Sequence, residues 1–175
     1  MGPMIKTVAV HPKENLLLQL IFASLFIGIC AQIKIPLWFT PVPITGQTFG
    51  VILVGTLLGS KKGALAAIFY LIEGILGLPV WAGGAAGFLH LMGPTGGYRF
   101  AYVLQAYLVG CATERYSLSF PAKATLLFLI CCLQMLLGSV WLAFFVGLPQ
   151  ALAKGFYPFV LIEAIKVVIL TRIRK

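Results

Sequence analysis

Apolar stretches long enough to enter a lipid bilayer recur along the whole of this chain, with no hydrophilic block of comparable length between them. A bilayer core about 30 Å thick takes a helix of about 20 mainly apolar residues, so such repetition dictates a helical bundle in lipid. With 61% apolar and 10% charged residues, a soluble domain is excluded. The expected fold is therefore all-α: one polytopic membrane domain over residues 1–175, built from six transmembrane helices. These spans fall near 16–33, 42–59, 63–76, 99–113, 122–146 and 157–170. Pro41, Pro43 and Gly46 interrupt the start of the second, which is tolerable where freed backbone groups face protein or a wet cavity.

The charges orient the bundle. Lys6 and Lys13 precede the first span, which reads as a retained helix rather than a cleaved signal peptide, because it runs on through Cys30-Ala31-Gln32. Lys6, Lys13, Lys61, Lys62, Arg115, Lys123, Arg172, Arg174 and Lys175 belong to the termini and even loops. Lys34, Arg99 and Lys154 belong to the odd loops. Basic residues collect on the cytoplasmic side, so both termini are expected there, in a multi-pass protein of the cytoplasmic membrane. The net charge of +9 is thereby explained by topology, and no nucleic-acid partner is implied, since the basic residues are scattered singly. The elaborate connections, Ile35 to Pro43, Gly77 to Tyr98 and Gly147-Leu148-Pro149, then lie outside, over a pocket that opens outward.

Glu163 and Lys166 stand three residues apart inside the last span, after Pro158 in its first turn, and so share one helix face. Ionisable residues at such depth are expensive, and by default mark a substrate or ion site. A mutual salt bridge fixing helix packing is one reading. A pair completed by ligand, Glu163 accepting from N–H groups and Lys166 donating to an oxygen, is the favoured one, because a self-contained ion pair gains little over apolar packing. On that reading Lys166→Ala weakens binding far more than folding.

Gly93-Pro94-Thr95-Gly96-Gly97-Tyr98 reads as a tight turn into the fourth span, Gly96 and Gly97 permitting positive φ or close backbone approach. Backbone N–H groups at that helix start, reinforced by Arg99, form either an anion site or a plain helix terminus at the interface; the residues alone do not choose. Upstream, Trp81 either belongs to the interfacial belt or covers an apolar ligand ring. Glu73 is read as a wet residue near the outer end of the third span, and His90 as a loop histidine.

Other features have plainer readings. Cys30, Cys111, Cys131 and Cys132 form no CxxC and read as small packing residues. Ser24 and Gly28, four apart, allow close helix approach, whether to an internal helix or to a partner subunit docking there. Gly59-Ser60-Lys61 lacks the spacing of a P-loop, and no ATPase, HExxH or GxSxG signature occurs, so no motor, metal or cofactor is assigned to this chain.

Pro41-x-Pro43-x-Thr45-x-Gln47, Gly77-Leu78-Pro79-Val80-Trp81-Ala82-Gly83-Gly84 and the Gly93–Tyr98 string resemble the BioY family, the biotin-specific S components of energy-coupling factor transporters, from the first span to the last. The resemblance implies a biotin-binding uptake subunit and no enzyme. Its partners would be a transmembrane coupling subunit and two cytoplasmic ATPase subunits that use ATP. It places Trp81, Gly83, Thr95, Gly97, Tyr98 and Arg99 with Glu163 and Lys166 as candidate binding residues. The family carries aspartate, two residues and lysine in the last span; here Glu163 stands for the aspartate, one methylene longer. An asparagine that some members carry in the loop after the third span has no counterpart in this loop.

Biotin's chemistry suits these residues. Its ureido group offers two N–H donors and one carbonyl, to be met by a carboxylate beside an ammonium; its bicyclic ring asks for an apolar wall, with Trp81, Phe88 and Tyr98 as candidates. Its carboxylate asks for Arg99 at the helix start, or for Lys166. Rival readings are an S component for another vitamin, an intramembrane lipid-acting enzyme with Glu163 as base, and a structural assembly protein.

Overall fold

A computed structural model describes residues 15–115 and 119–172. Lys6, Lys13, Arg174 and Lys175 of the charge count, and the segment preceding the first span, lie outside the described residues. The elements in order are α1 (Leu16–Gln32), β1 (Lys34–Ile35), β2 (Ile44–Thr45), α2 (Gln47–Leu58), α3 (Ser60–Ile75), α4 (Phe88–Leu91), α5 (Gly96–Arg115), α6 (Phe120–Val146), α7 (Leu148–Gly155) and α8 (Val160–Thr171), the last entered through a 3-10 turn at Tyr157–Phe159. The chain is mainly helical, as expected.

Two connections differ from expectation. The second helix begins at Gln47 rather than near 42, because proline supplies no N–H and pushes its predecessor toward extended backbone. Ile44–Thr45 instead pairs antiparallel with Lys34–Ile35, with Lys34 opposite Thr45 and Ile35 opposite Ile44. The proline-rich segment is thus the loop of a short hairpin, and Trp38 stands almost fully exposed within it. After Gly147, the expected outer loop is the helix α7, with proline in its first turn, where a missing N–H costs nothing.

α5 is the central helix, packing against α2, α3 and α6. On one side Ile27, Val51, Tyr70, Trp81 and Ala106 form an apolar cluster. On the other, Ile52, Val109, Leu127 and Val167 join α2, α5, α6 and α8. Close approach depends on small residues: a Cβ on Gly55 would stand 2.7 Å from the Ala106 carbonyl, and one on Gly110 would strike the backbone at Ser60. Large apolar side chains such as Phe22, Phe144 and Leu161 cover the outside. Among the described residues, α6 alone is long and apolar enough to cross a membrane by length and composition, at 27 residues or about 40 Å.

The two ends of the bundle differ. At one, the Lys62 Nζ donates to Gln19 Oε1 across α3 and α1, and Glu114 at the end of α5 accepts from the Ser60 N–H (3.0 Å) and hydroxyl (2.7 Å). Lys61, Lys62 and Arg115 gather there. Lys34, Arg99 and Lys154 lie at the other end, which carries the hairpin, α4 and α7.

Candidate binding site

At the hairpin end, the hairpin, α2, α5, α6 and α8 line a partly open cavity. Glu163, Lys166, Thr95, Tyr98 and Arg99 line it, so five of the eight expected binding residues converge on one space. Val42, Met135 and Phe159 supply apolar wall.

The α8 charges are both paired and open. Lys166 Nζ donates to Glu163 Oε1 (2.6 Å), to the Thr48 hydroxyl (2.7 Å) and to the Thr45 carbonyl (2.8 Å), which occupies all three of its donors. The Thr48 hydroxyl in turn donates to Glu163 Oε1 (2.8 Å). Glu163 Oε2 is buried without a partner. The salt bridge therefore exists, yet it leaves one carboxylate oxygen unsatisfied on a residue that lines the cavity. This corrects the expected division of labour: Lys166 is spent on the protein, and Glu163 holds the free acceptor.

Across the cavity, Arg99 is 4% exposed and its guanidinium carbon lies 4.7 Å from the Trp81 ring centroid. Among the described residues its guanidinium bonds only to the His90 carbonyl (3.2 Å), and Nε has no partner. A buried cation without a carboxylate is the chemistry that receives an anion.

Trp81, Gly83 and Gly97 do not line the cavity. Trp81 is wholly buried, its ring filling the space left by the absent side chain of Gly74, and its neighbour Ala82 reaches the wall instead. Gly83 is exposed at φ +73° beside Lys34. Gly97 sits back to back with Trp141, where a Cβ would collide with the indole; neither it nor Gly96 has a positive φ, so close approach is their reason. Phe88 is 57% exposed and stands off the site.

Ser24 and Gly28 are internal. Ser24 is fully buried, its single hydroxyl proton shared between the Ile21 carbonyl (2.9 Å) and Glu73 Oε1 (2.6 Å), while Gly28 packs on Val80. They join α1 to α3 and to the following loop, and offer no surface to a partner subunit. Glu73 is correspondingly not a plain wet residue: its second oxygen is buried and unpartnered. His90 falls in α4, its ring stacked on Trp81 at 5.9 Å. Burial first, then the charges of Arg99 and Lys34, hold its imidazole below the usual histidine range. The four cysteines are free thiols.

Gln47, Thr48, Tyr102 and Gln134 line the cavity without having been singled out as site residues. Gln47 Nε2 donates to the Tyr70 hydroxyl, while its Oε1 accepts from Thr45 and, at 3.4 Å, from Tyr102. Gln134 donates Nε2 to the Tyr98 carbonyl (3.2 Å) and leaves Oε1 buried and unpartnered. A glutamine halfway along a 27-residue apolar helix was the available signal.

The BioY family model matches residues 5–175. The chain belongs to the BioY family. It is 38% identical over 156 residues to a probable biotin transporter BioY of Pyrococcus horikoshii, covering 88% of this chain and 89% of that protein. It is likewise 38% identical over 161 residues to the biotin transporter BioY of Thermotoga maritima, with 86% and 90% covered. Among solved structures, the S-component for biotin from an ECF-type ABC transporter superposes with a TM-score of 0.75 at 31% identity, over 90% of this chain and 89% of that one. As a BioY-family chain it is a membrane protein, which accounts for the apolar exterior.

Proposed function

We propose that this BioY-family protein binds biotin and serves as the substrate-specific subunit of an energy-coupling factor transporter in the cytoplasmic membrane. One observation carries the reading: an unpaired carboxylate oxygen on Glu163 and an unneutralised guanidinium on Arg99 line the same apolar-walled cavity. Biotin is complementary to both. A ureido N–H meets Glu163 Oε2, the bicyclic ring lies among Val42, Met135 and Phe159, and the carboxylate reaches Arg99 beside the start of α5. Lys166 engages Glu163 Oε1 and so fixes which oxygen is free. Each buried polar group left unsatisfied costs about 1–3 kcal/mol, more for a charge, and the ligand relieves these costs.

The cavity end faces outward and the Lys61–Arg115 end faces the cytoplasm, in keeping with the excess of basic residues there. α2 and α8, at 12 residues each, are about 18 Å long. The hairpin strand ahead of α2 and the 3-10 turn ahead of α8 complete their crossings, sheltered by protein around the cavity. Six crossings put both termini in the cytoplasm. The chain carries no ATPase motif, so release inward draws on a transmembrane coupling subunit and two cytoplasmic ATPases.

Calorimetry of the purified protein tests this. Saturable binding of one biotin per chain, undisplaced by other vitamins and weaker for biotin methyl ester, is expected. Absence of any heat with biotin, or displacement by a different vitamin at equal concentration, overturns it.

A further inference from the structure

We infer that Gln134 is a specificity-determining residue of this site, its Oε1 accepting the second N–H of the ligand's cyclic urea opposite Glu163. The inference rests on the biotin reading above and adds to it a residue on α6. Gln134 is 3% exposed and lines the cavity. Its amide orientation is fixed chemically: the Tyr98 carbonyl can only accept, so Nε2 must face it, and the oxygen is what remains. That oxygen is buried and unpartnered, as is Glu163 Oε2. Gln105 on α5 also keeps a partnerless Oε1, but it stands off the cavity and has no such opportunity.

A cyclic urea projects its two N–H groups from opposite sides of the carbonyl, so it is recognised best by two acceptors on different walls. Glu163 on α8 and Gln134 on the adjacent α6 bring two such acceptors from separate helices to one cavity. The free acceptors on the cavity wall, one charged and one neutral, thus match the donors of one planar group. Gln134 would also reject ligands that present an acceptor at that edge, because two lone pairs would then face each other without a proton.

The test uses biotin and its two mono-N-methyl isomers, each lacking one urea N–H, titrated into purified wild type, Gln134→Met and Gln134→Asn. Methionine keeps the length without the acceptor, and asparagine keeps the amide while falling a methylene short. Wild type should bind biotin and discriminate against both isomers. Both variants should bind biotin roughly tenfold more weakly. They should lose discrimination against one isomer while retaining it against the other. Undiminished discrimination against both isomers in either variant that binds biotin overturns the role of Gln134 and leaves the biotin reading intact. Failure of wild type to bind biotin removes the reading itself, and the inference with it.

Discussion

The guanidinium of Arg99 rests 4.7 Å from the ring centroid of Trp81, which is itself wholly buried. The tryptophan is thereby a platform for the cation rather than a wall for the ligand. A desolvated contact of this kind is worth about 2 kcal/mol, and a guanidinium held flat has less freedom to lose on binding an anion. Trp81→Leu should therefore weaken biotin by about tenfold. Biotin methyl ester, which offers Arg99 no charge, should lose far less, and Trp81→Phe should restore most of the difference. Calorimetry with the two ligands separates this from general loosening, which would weaken both equally.

Lys166 is tied to Glu163, Thr48 and Thr45 at once, so its removal is a structural event as well as a binding one. Breaking a buried pair from one side leaves an uncompensated charge and costs about 3–5 kcal/mol. Lys166→Ala should lower the apparent melting temperature in detergent and abolish binding together. Adding Glu163→Gln should recover much of the stability, since no charge is then stranded, while binding stays lost. Failure of the double variant to regain stability would show that the lysine is needed for packing rather than for charge compensation.

The helical character was legible because lipid enforces it: apolar runs had to be helices. Helix α6, expected at 122–146 and found at Phe120–Val146, is the clearest case. The site was half legible for the same reason, since a charged pair in an apolar helix announces itself. Trp81 misled because an aromatic beside glycines suits a ligand wall and a buried platform equally; only the void at Gly74 decides between them. Ser24 and Gly28 were legible only as a close-packing face, because small residues record that something approaches without saying what; the structure supplies the internal partner. Gln134 escaped notice because an uncharged polar residue stands out less than an ionised one.

Glu114 closes the opposite end of the bundle. Its carboxylate accepts the first N–H and the hydroxyl of Ser60 at the start of α3, where the helix dipole favours negative charge. Gly59, at φ +83°, leaves room for it, since a Cβ there would overlap Glu114 Oε1. Glu114→Ala should cost about 1 kcal/mol, seen as a lower apparent melting temperature. Gly59→Ala should cost more, because it adds backbone strain to the loss of the cap. Neither should change biotin affinity by calorimetry, as both lie away from the cavity.

His90 makes the outer loop sensitive to acid. Its imidazole stacks on Trp81 and is held below its usual pKa by burial, with Arg99 and Lys34 adding repulsion. The unfolded chain therefore binds this proton more readily than the folded one, so the native arrangement is favoured fully above the unfolded value of 6.5 and loses ground as pH falls through the lower folded value. Protonation would set a second cation against the Trp81 ring that already carries Arg99. Wild type should accordingly lose more apparent thermal stability than His90→Phe between about pH 7 and pH 5. The phenylalanine keeps the stacking and cannot charge; its backbone carbonyl still accepts from Arg99, so affinity for biotin at neutral pH should be unchanged. Parallel pH profiles for the two proteins would remove His90 as the titrating group.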